Sequence, residues 1–162
     1  CGQRAQVALG LILAQDPDLL ILDDFSLGLD PGYRRLFIDY MREYCKAKGK
    51  TVFLTSHIIQ DMGRLIDDVL IMDYNRVLVQ GPVKDFTDKF KGFTFDLEQD
   101  NITFSDSLAV NVEHINNHYE FYTYGDEAEV KNLLKTQGLT YSNFTQLDMT
   151  LEDAFIGLTG KY

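Results

Sequence analysis

Leu19-Leu20-Ile21-Leu22-Asp23-Asp24, followed at once by Ser26-Leu27-Gly28-Leu29-Asp30-Pro31, carries more information than any other stretch of this chain. Four consecutive apolar residues that deliver two carboxylates match a strand buried on both faces, as in a parallel sheet. Ligands of open α/β sheets gather at the carboxyl ends of such strands, which is where Asp23 and Asp24 stand. Asp23 offers the hard oxygen that a Mg²⁺–phosphate site requires. A helix N-cap after a core strand is the plainer reading of Asp24.

Working outward, residues 1–14 read as a helix with Val7, Ala8, Leu11, Ile12 and Gln15 along one stripe. Gly2-Gln3 lies at its start, where free N–H groups and the positive dipole end favour an anion. Asp16-Pro17-Asp18 ends that helix before the strand. Downstream, Asp30-Pro31 is an N-cap followed by proline at the first helical position. Tyr33, Phe37, Tyr40, Met41 and Tyr44 mark the inward face of the helix that follows, and Gly49 closes it. Thr51 to His57 is a second short strand ending in a histidine, and Ile58 to Ile66 carries a helical pattern. Residues 69–72 and 77–79 are strands joined by a tight turn at 73–75. Strand, helix, strand, helix predicts an α/β core with parallel strands.

Response regulators and Mg²⁺-dependent phosphatases also end apolar strands in acidic residues. The order of motifs separates this chain from them. A Gly-Gln helix start, an apolar strand with Asp, a Ser-x-Gly-Leu-Asp loop and a strand closing in Thr-Ser-His resemble, over residues 1–85, the C-terminal half of an ABC ATPase, the nucleotide-binding subunit of ABC transporters. Gly2-Gln3 matches the end of the family's signature motif, with Cys1 where another glycine is usual. Leu19 to Asp23 matches the Walker B strand, Ser26 to Asp30 the D-loop, and His57 the switch histidine. The resemblance implies a P-loop NTPase fold, with ATP and Mg²⁺ as ligands. It implies that Asp23 holds the metal, that Asp24 orients the attacking water and that His57 touches the γ-phosphate or that water. Gly2 and Gln3 would contact ATP bound by a second ABC ATPase subunit, in a homo- or heterodimer, with Asp30 at the dimer interface. Catalysis of this kind is alignment and electrostatics.

Two departures bear on activity. The phosphate-cradling loop Gly-x-x-x-x-Gly-Lys-Ser/Thr is absent, and the chain opens inside the signature without an initiating Met. The chain therefore reads as the C-terminal portion of a longer domain, with negligible ATPase activity alone and an apolar surface open to self-association. The family's usual Glu after the Walker B Asp is Asp24 here, one methylene shorter, and Phe25 replaces a frequent Pro. A misplacement on the order of 1 Å can cost roughly 100-fold in rate.

Residues 1–90 are expected to form the C-terminal portion of the nucleotide-binding domain, and 91–162 a small α+β appendage. Val83 to Phe90 reads as a short helix and Phe93 to Leu97 as a strand. Residues 109–114 and 119–124 flank Asn116-Asn117 as a hairpin, with Glu127 to Gln137 a helix, residues 141–148 a strand and Thr150 the opening of a last helix. His114 and His118 are expected to face each other across the hairpin; two histidines without a third ligand make a poor zinc site. Leu151-Glu152-Asp153-Ala154-Phe155-Ile156-Gly157-Leu158-Thr159-Gly160 resembles the tail of many ABC exporter ATPases.

A net charge of −10 and a pI near 4.6 argue against nucleic-acid binding, which needs Lys and Arg to displace counterions, and against attraction to anionic lipid. No apolar run reaches membrane-spanning length. The chain is expected to be cytoplasmic, held at the cytoplasmic face of the membrane through a permease and not by direct insertion. The implied function is that of an ATP-binding and ATP-hydrolysing subunit powering export through that permease. The alternative is a regulatory, weakly hydrolysing ABC-type subunit that dimerises around nucleotide, and a weaker third reading is a soluble ABC ATPase without a permease.

Overall fold

The computed structural model describes residues 2–60, 62–73, 75–99, 102–104 and 107–160. Cys1 of the signature remnant and Tyr74 of the 73–75 turn lie outside them. The fold is mixed α/β and separates into two compact units, Cys1–Ile66 and Asp67–Tyr162.

In the first unit, helix α1 (Gly2–Ala14) leads to strand β1 (Leu19–Asp23), helix α2 (Pro31–Lys48) and strand β2 (Thr51–Thr55). β1 and β2 pair in parallel, Leu19 opposite Thr51 through Asp23 opposite Thr55. The crossover is α2, started by Asp30, whose carboxylate accepts from the Tyr33 N–H at 3.1 Å, and closed by Gly49 in the left-handed conformation. Leu9, Leu20, Leu22, Phe25, Leu29, Ile38, Met41, Tyr44 and Met62 form the core.

Four expectations change. β1 is buried on one face only: Leu20 and Leu22 are inside, whereas Leu19 and Ile21, with Phe53 of β2, stay exposed, Ile21 at 70%. In α1, among the described side chains, the buried one is Leu9, with Leu13 packed beside it, while Val7 and Leu11 of the expected stripe face outward. Apolar residues surround that helix, so periodicity alone does not choose a side. Tyr33 and Tyr40 of α2 are likewise exposed, and Ile38 takes the inward position. Among the described residues of Ile58–Ile66, the helical pattern gives a 3₁₀ turn at Met62–Arg64 and no α-helix. Helical spacing without terminal caps is weak: the helix at Leu151–Thr159, equally short and also holding a glycine, starts in a Thr150–Asp153 capping box and ends at a left-handed Gly160, whereas the described residues of 58–66 show no such caps.

The turn between α1 and β1 is latched to the end of α2. Asp16, itself left-handed at φ 50°, accepts from the Tyr44 hydroxyl at 2.7 Å and the Lys48 ammonium at 2.9 Å, and Lys50 bonds the Asp16 carbonyl and Asp18. The Lys48 hydrogen bond, then that of Tyr44, holds the Asp16 carboxyl below the usual carboxylate range. The same contact pushes the Tyr44 phenol up to about 12. A lowered folded-state value means stability is present above the unfolded value near ~3.9 and is lost as pH falls through the folded one. Asp16→Asn is thus expected to flatten the acid limb of a denaturation profile taken below about pH 5; an unchanged limb would show that the latch contributes nothing.

In the second unit, β3 (Asp68–Asp73) and β4 (Arg76–Pro82) form an antiparallel hairpin followed by α3 (Val83–Lys89). Then come β5 (Lys91–Leu97), β6 (Asn111–Ile115), β7 (His118–Thr123), α4 (Glu127–Thr136), β8 (Tyr141–Gln146) and α5 (Leu151–Thr159). The sheet order is β6-β7-β5-β8, all antiparallel. One face carries Phe93, Phe95, Leu97, Tyr119 and Phe121 against Val130, Leu133 and Leu134 of α4. The opposite face takes α5, whose Gly157 lies so near Tyr122 that an added Cβ would sit 2.2 Å from the ring. Both α4 and α5 start in capping boxes, Asp126 with Glu129 and Thr150 with Asp153. The hairpin turns at Asn116, φ 56°, so His118 pairs with Ile115 and His114 with Tyr119. The expected histidine pair is therefore one register step off: His114 stacks on Tyr119 and His118 bonds Asp96 at 2.7 Å.

Candidate functional site

The carboxyl end of the parallel β1–β2 pair gathers four polar side chains. Because Asp23 stands opposite Thr55, both strands end level, and the residues just beyond them meet. The Thr55 hydroxyl donates to Asp23 Oδ1. The Asp24 N–H continues the ladder to the Thr55 carbonyl at 3.1 Å and also reaches the Thr55 hydroxyl oxygen at 3.2 Å. His57 Nδ1 lies 2.9 Å from both Asp24 carboxylate oxygens. A carboxylate only accepts, so Nδ1 carries the proton and Nε2 is left for another partner.

Asp24 adopts φ 46°, a left-handed conformation that Asp tolerates better than most residues. That bend turns the chain out of β1 into the following loop. There Leu27 N–H bonds the Asp24 carbonyl at 2.9 Å and Leu29 N–H bonds that of Ser26 at 3.1 Å. Gly28, at φ 82°, occupies the third position of the second turn, where a positive φ is needed. Asp23 and His57 are exposed and Asp24 half-buried, so the cluster is open to an incoming ligand.

Of the residues expected to act, the structure brings together Asp23, Asp24 and His57. Asp30 sits at the α2 N-cap, and Gly2 and Gln3 form the first turn of α1 with Gln3 exposed; among the described residues no hydrogen bond ties these three to the carboxylates. Thr55 is the member that sequence reasoning left without a role. Its only signal was its place two residues before the histidine.

The residues fit a Mg²⁺–nucleotide ligand. Among the described residues, Asp23 Oδ2 has no hydrogen-bond partner, and no group of three or more His, Cys, Asp or Glu side chains forms a cage. One open carboxylate oxygen without a cage is what suits Mg²⁺, which keeps waters and takes phosphate oxygens.

These elements outline a mixed α/β protein with a carboxylate–histidine cluster at the end of two parallel strands. No protein-family model matches the chain. Homologues similar over 99% of its length, at about 30% identity, are ABC transporter ATP-binding proteins. The Nod factor export ATP-binding protein I of Burkholderia lata is 29% identical over 165 residues, covering 99% of this chain and 53% of its own. The protein of that name from Sinorhizobium fredii is 31% identical over 169 residues, covering 99% and 47%. The thiamine import ATP-binding protein ThiQ of Jannaschia is 35% identical over 82 residues, covering 51% and 36%. The chain spans about half the length of the full-coverage relatives. Among the described residues no helix is long and apolar enough to cross a membrane.

Proposed function

We propose that this chain is the C-terminal part of an ABC-type ATPase subunit that binds and hydrolyses ATP with Mg²⁺ and powers export through a transmembrane permease. Residues 1–90 belong to the nucleotide-binding domain in this reading, and 91–162 form its accessory domain. The subunit works as a dimer at the cytoplasmic face of the membrane. Export is favoured by the 151–160 tail and by relatives named for Nod factor export that match the chain end to end, although the matches also include a thiamine import protein.

The observation that carries the reading is the contact of His57 Nδ1 with the Asp24 carboxylate beside Asp23. Asp23 would hold Mg²⁺, whose positive charge offsets the charge gathering on the transferring phosphoryl group. Asp24 accepts from the attacking water and aligns it. His57, its ring fixed through the Nδ1–H it donates to Asp24, keeps that carboxylate in place; Nε2 then accepts from the attacking water or, in the doubly protonated ring, donates to a phosphate oxygen. Gly2 and Gln3 contact the nucleotide of the partner subunit, and Asp30 lies at the interface between the two.

The short side chain of Asp24 favours a second reading, a regulatory subunit that dimerises around nucleotide and hydrolyses it slowly. Asp24→Glu in the full-length protein separates the two. Under the main reading, Mg²⁺-dependent phosphate release stays level or falls. A gain of about 10-fold or more would favour the regulatory one. Full-length protein that neither binds nor hydrolyses MgATP would refute both.

A further inference from the structure

We infer that Thr55 is the positioning residue of this site, one hydroxyl setting the bearing of both carboxylates; the inference rests on the nucleotide-hydrolysis reading above. A threonine hydroxyl has a single proton, and here it goes to Asp23 Oδ1. The Thr55 hydroxyl oxygen in turn accepts the Asp24 N–H at 3.2 Å, sharing it with the Thr55 carbonyl at 3.1 Å. With Oδ1 committed, Asp23 can offer Oδ2 outward, and its carboxylate is not free to spin. With its N–H held twice, Asp24 keeps the left-handed bend at φ 46° that carries its side chain to His57.

The parallel register makes this possible. Thr55 is the partner of Asp23 itself, so its side chain and the Asp23 side chain leave the same face of the pair. The cross-strand bond thus links the two strand ends that supply the site. Groups fixed before a ligand arrives need no reorganisation when charge develops, which is where such sites gain most. Hydrogen bonds to a metal-binding carboxylate typically change metal affinity or activity about 10–100-fold when removed.

Thr55 is exposed, so water can replace its hydroxyl in a merely structural role. The test compares Thr55→Val, which keeps the branched shape and deletes the hydroxyl, with Thr55→Ser, which keeps the hydroxyl. Asp23→Asn serves as reference. In the full-length protein, Mn²⁺ replaces Mg²⁺ and is titrated with a non-hydrolysable ATP analogue while free Mn²⁺ is followed by electron paramagnetic resonance. Thr55→Val is expected to weaken Mn²⁺ affinity about tenfold or more, with an unchanged unfolding midpoint, and Thr55→Ser to restore it. If Asp23→Asn weakens Mn²⁺ binding and Thr55→Val does not, the Thr55 inference falls and the nucleotide reading stands. A lowered unfolding midpoint in Thr55→Val, or no rescue by Ser, overturns the positioning role in favour of a structural one. If the unmodified protein binds no Mn²⁺–nucleotide, the nucleotide reading fails and takes this inference with it.

Discussion

His57→Ala and Asp24→Asn are each expected to cut ATP turnover of the full-length protein by about 100-fold or more, and the double variant to be little worse than either. The reason is geometric. Nδ1 sits 2.9 Å from both oxygens of Asp24, so the ring and the carboxylate brace each other and act as one unit. Removing His57 leaves Asp24 at a bend without its side-chain partner. Removing the charge of Asp24 leaves the imidazole facing a neutral amide, whose oxygen is a weaker acceptor and whose NH₂ can donate, so tautomer and orientation are no longer fixed. Groups that work as a unit show strongly non-additive losses, which a double-mutant cycle on steady-state rates measures directly. Losses that multiply would show that the two side chains contribute independently.

The largest effect on stability is expected at Phe95. Its ring is fully buried, stacked 6.0 Å from Tyr119 and 5.8 Å from Phe144, with Phe104 in an edge contact and Phe121 tilted beside it. Phe95→Ala should destabilise the second unit by about 3–5 kcal/mol, since so large a vacancy between sheet and helix cannot collapse. Small domains hold only about 5–15 kcal/mol in total, so the loss is a large share of the whole. Tyrosine circular dichroism in the near ultraviolet should show the midpoint falling by at least about 12 °C. Phe95→Leu, which refills most of the volume, is expected to fall between. A midpoint unmoved by Phe95→Ala would mean that this aromatic cluster is not the unit's core.

How much of this was legible beforehand depended on whether the signal was local. Asp30-Pro31 and Gly49 bound α2 because caps and breakers act within a turn or two. The same holds for Thr150 with Asp153, and for Asn116 at the hairpin. Asp23, Asp24 and His57 stood out because each closes an apolar run, and the strands that carry them end side by side. Features that depend on pairing were out of reach. The role of Thr55 comes from the register of β1 against β2, which no local pattern records. The partners of His114 and His118 hinge on a single register step. The inward side of α1 is chosen by what packs on it, because Val7, Leu9, Leu11 and Leu13 are all apolar. Ile58–Ile66 had helical spacing without the terminal caps that hold the equally short α5.

The seating of α5 on the sheet has an optical consequence. The chain has nine tyrosines and no tryptophan, so its ultraviolet absorption above the peptide bands is dominated by phenol. Tyr122 lies under Gly157 with its hydroxyl 2.6 Å from Glu120, and burial, then that carboxylate, pushes its ionisation well above the ordinary range. A raised folded-state value gives stability that is whole below about pH 10 and drains away as alkali climbs toward it. Phenolate absorbance from this ring is therefore expected above the ordinary tyrosine range, and freeing α5 from the sheet, by removing the burial, should bring it down.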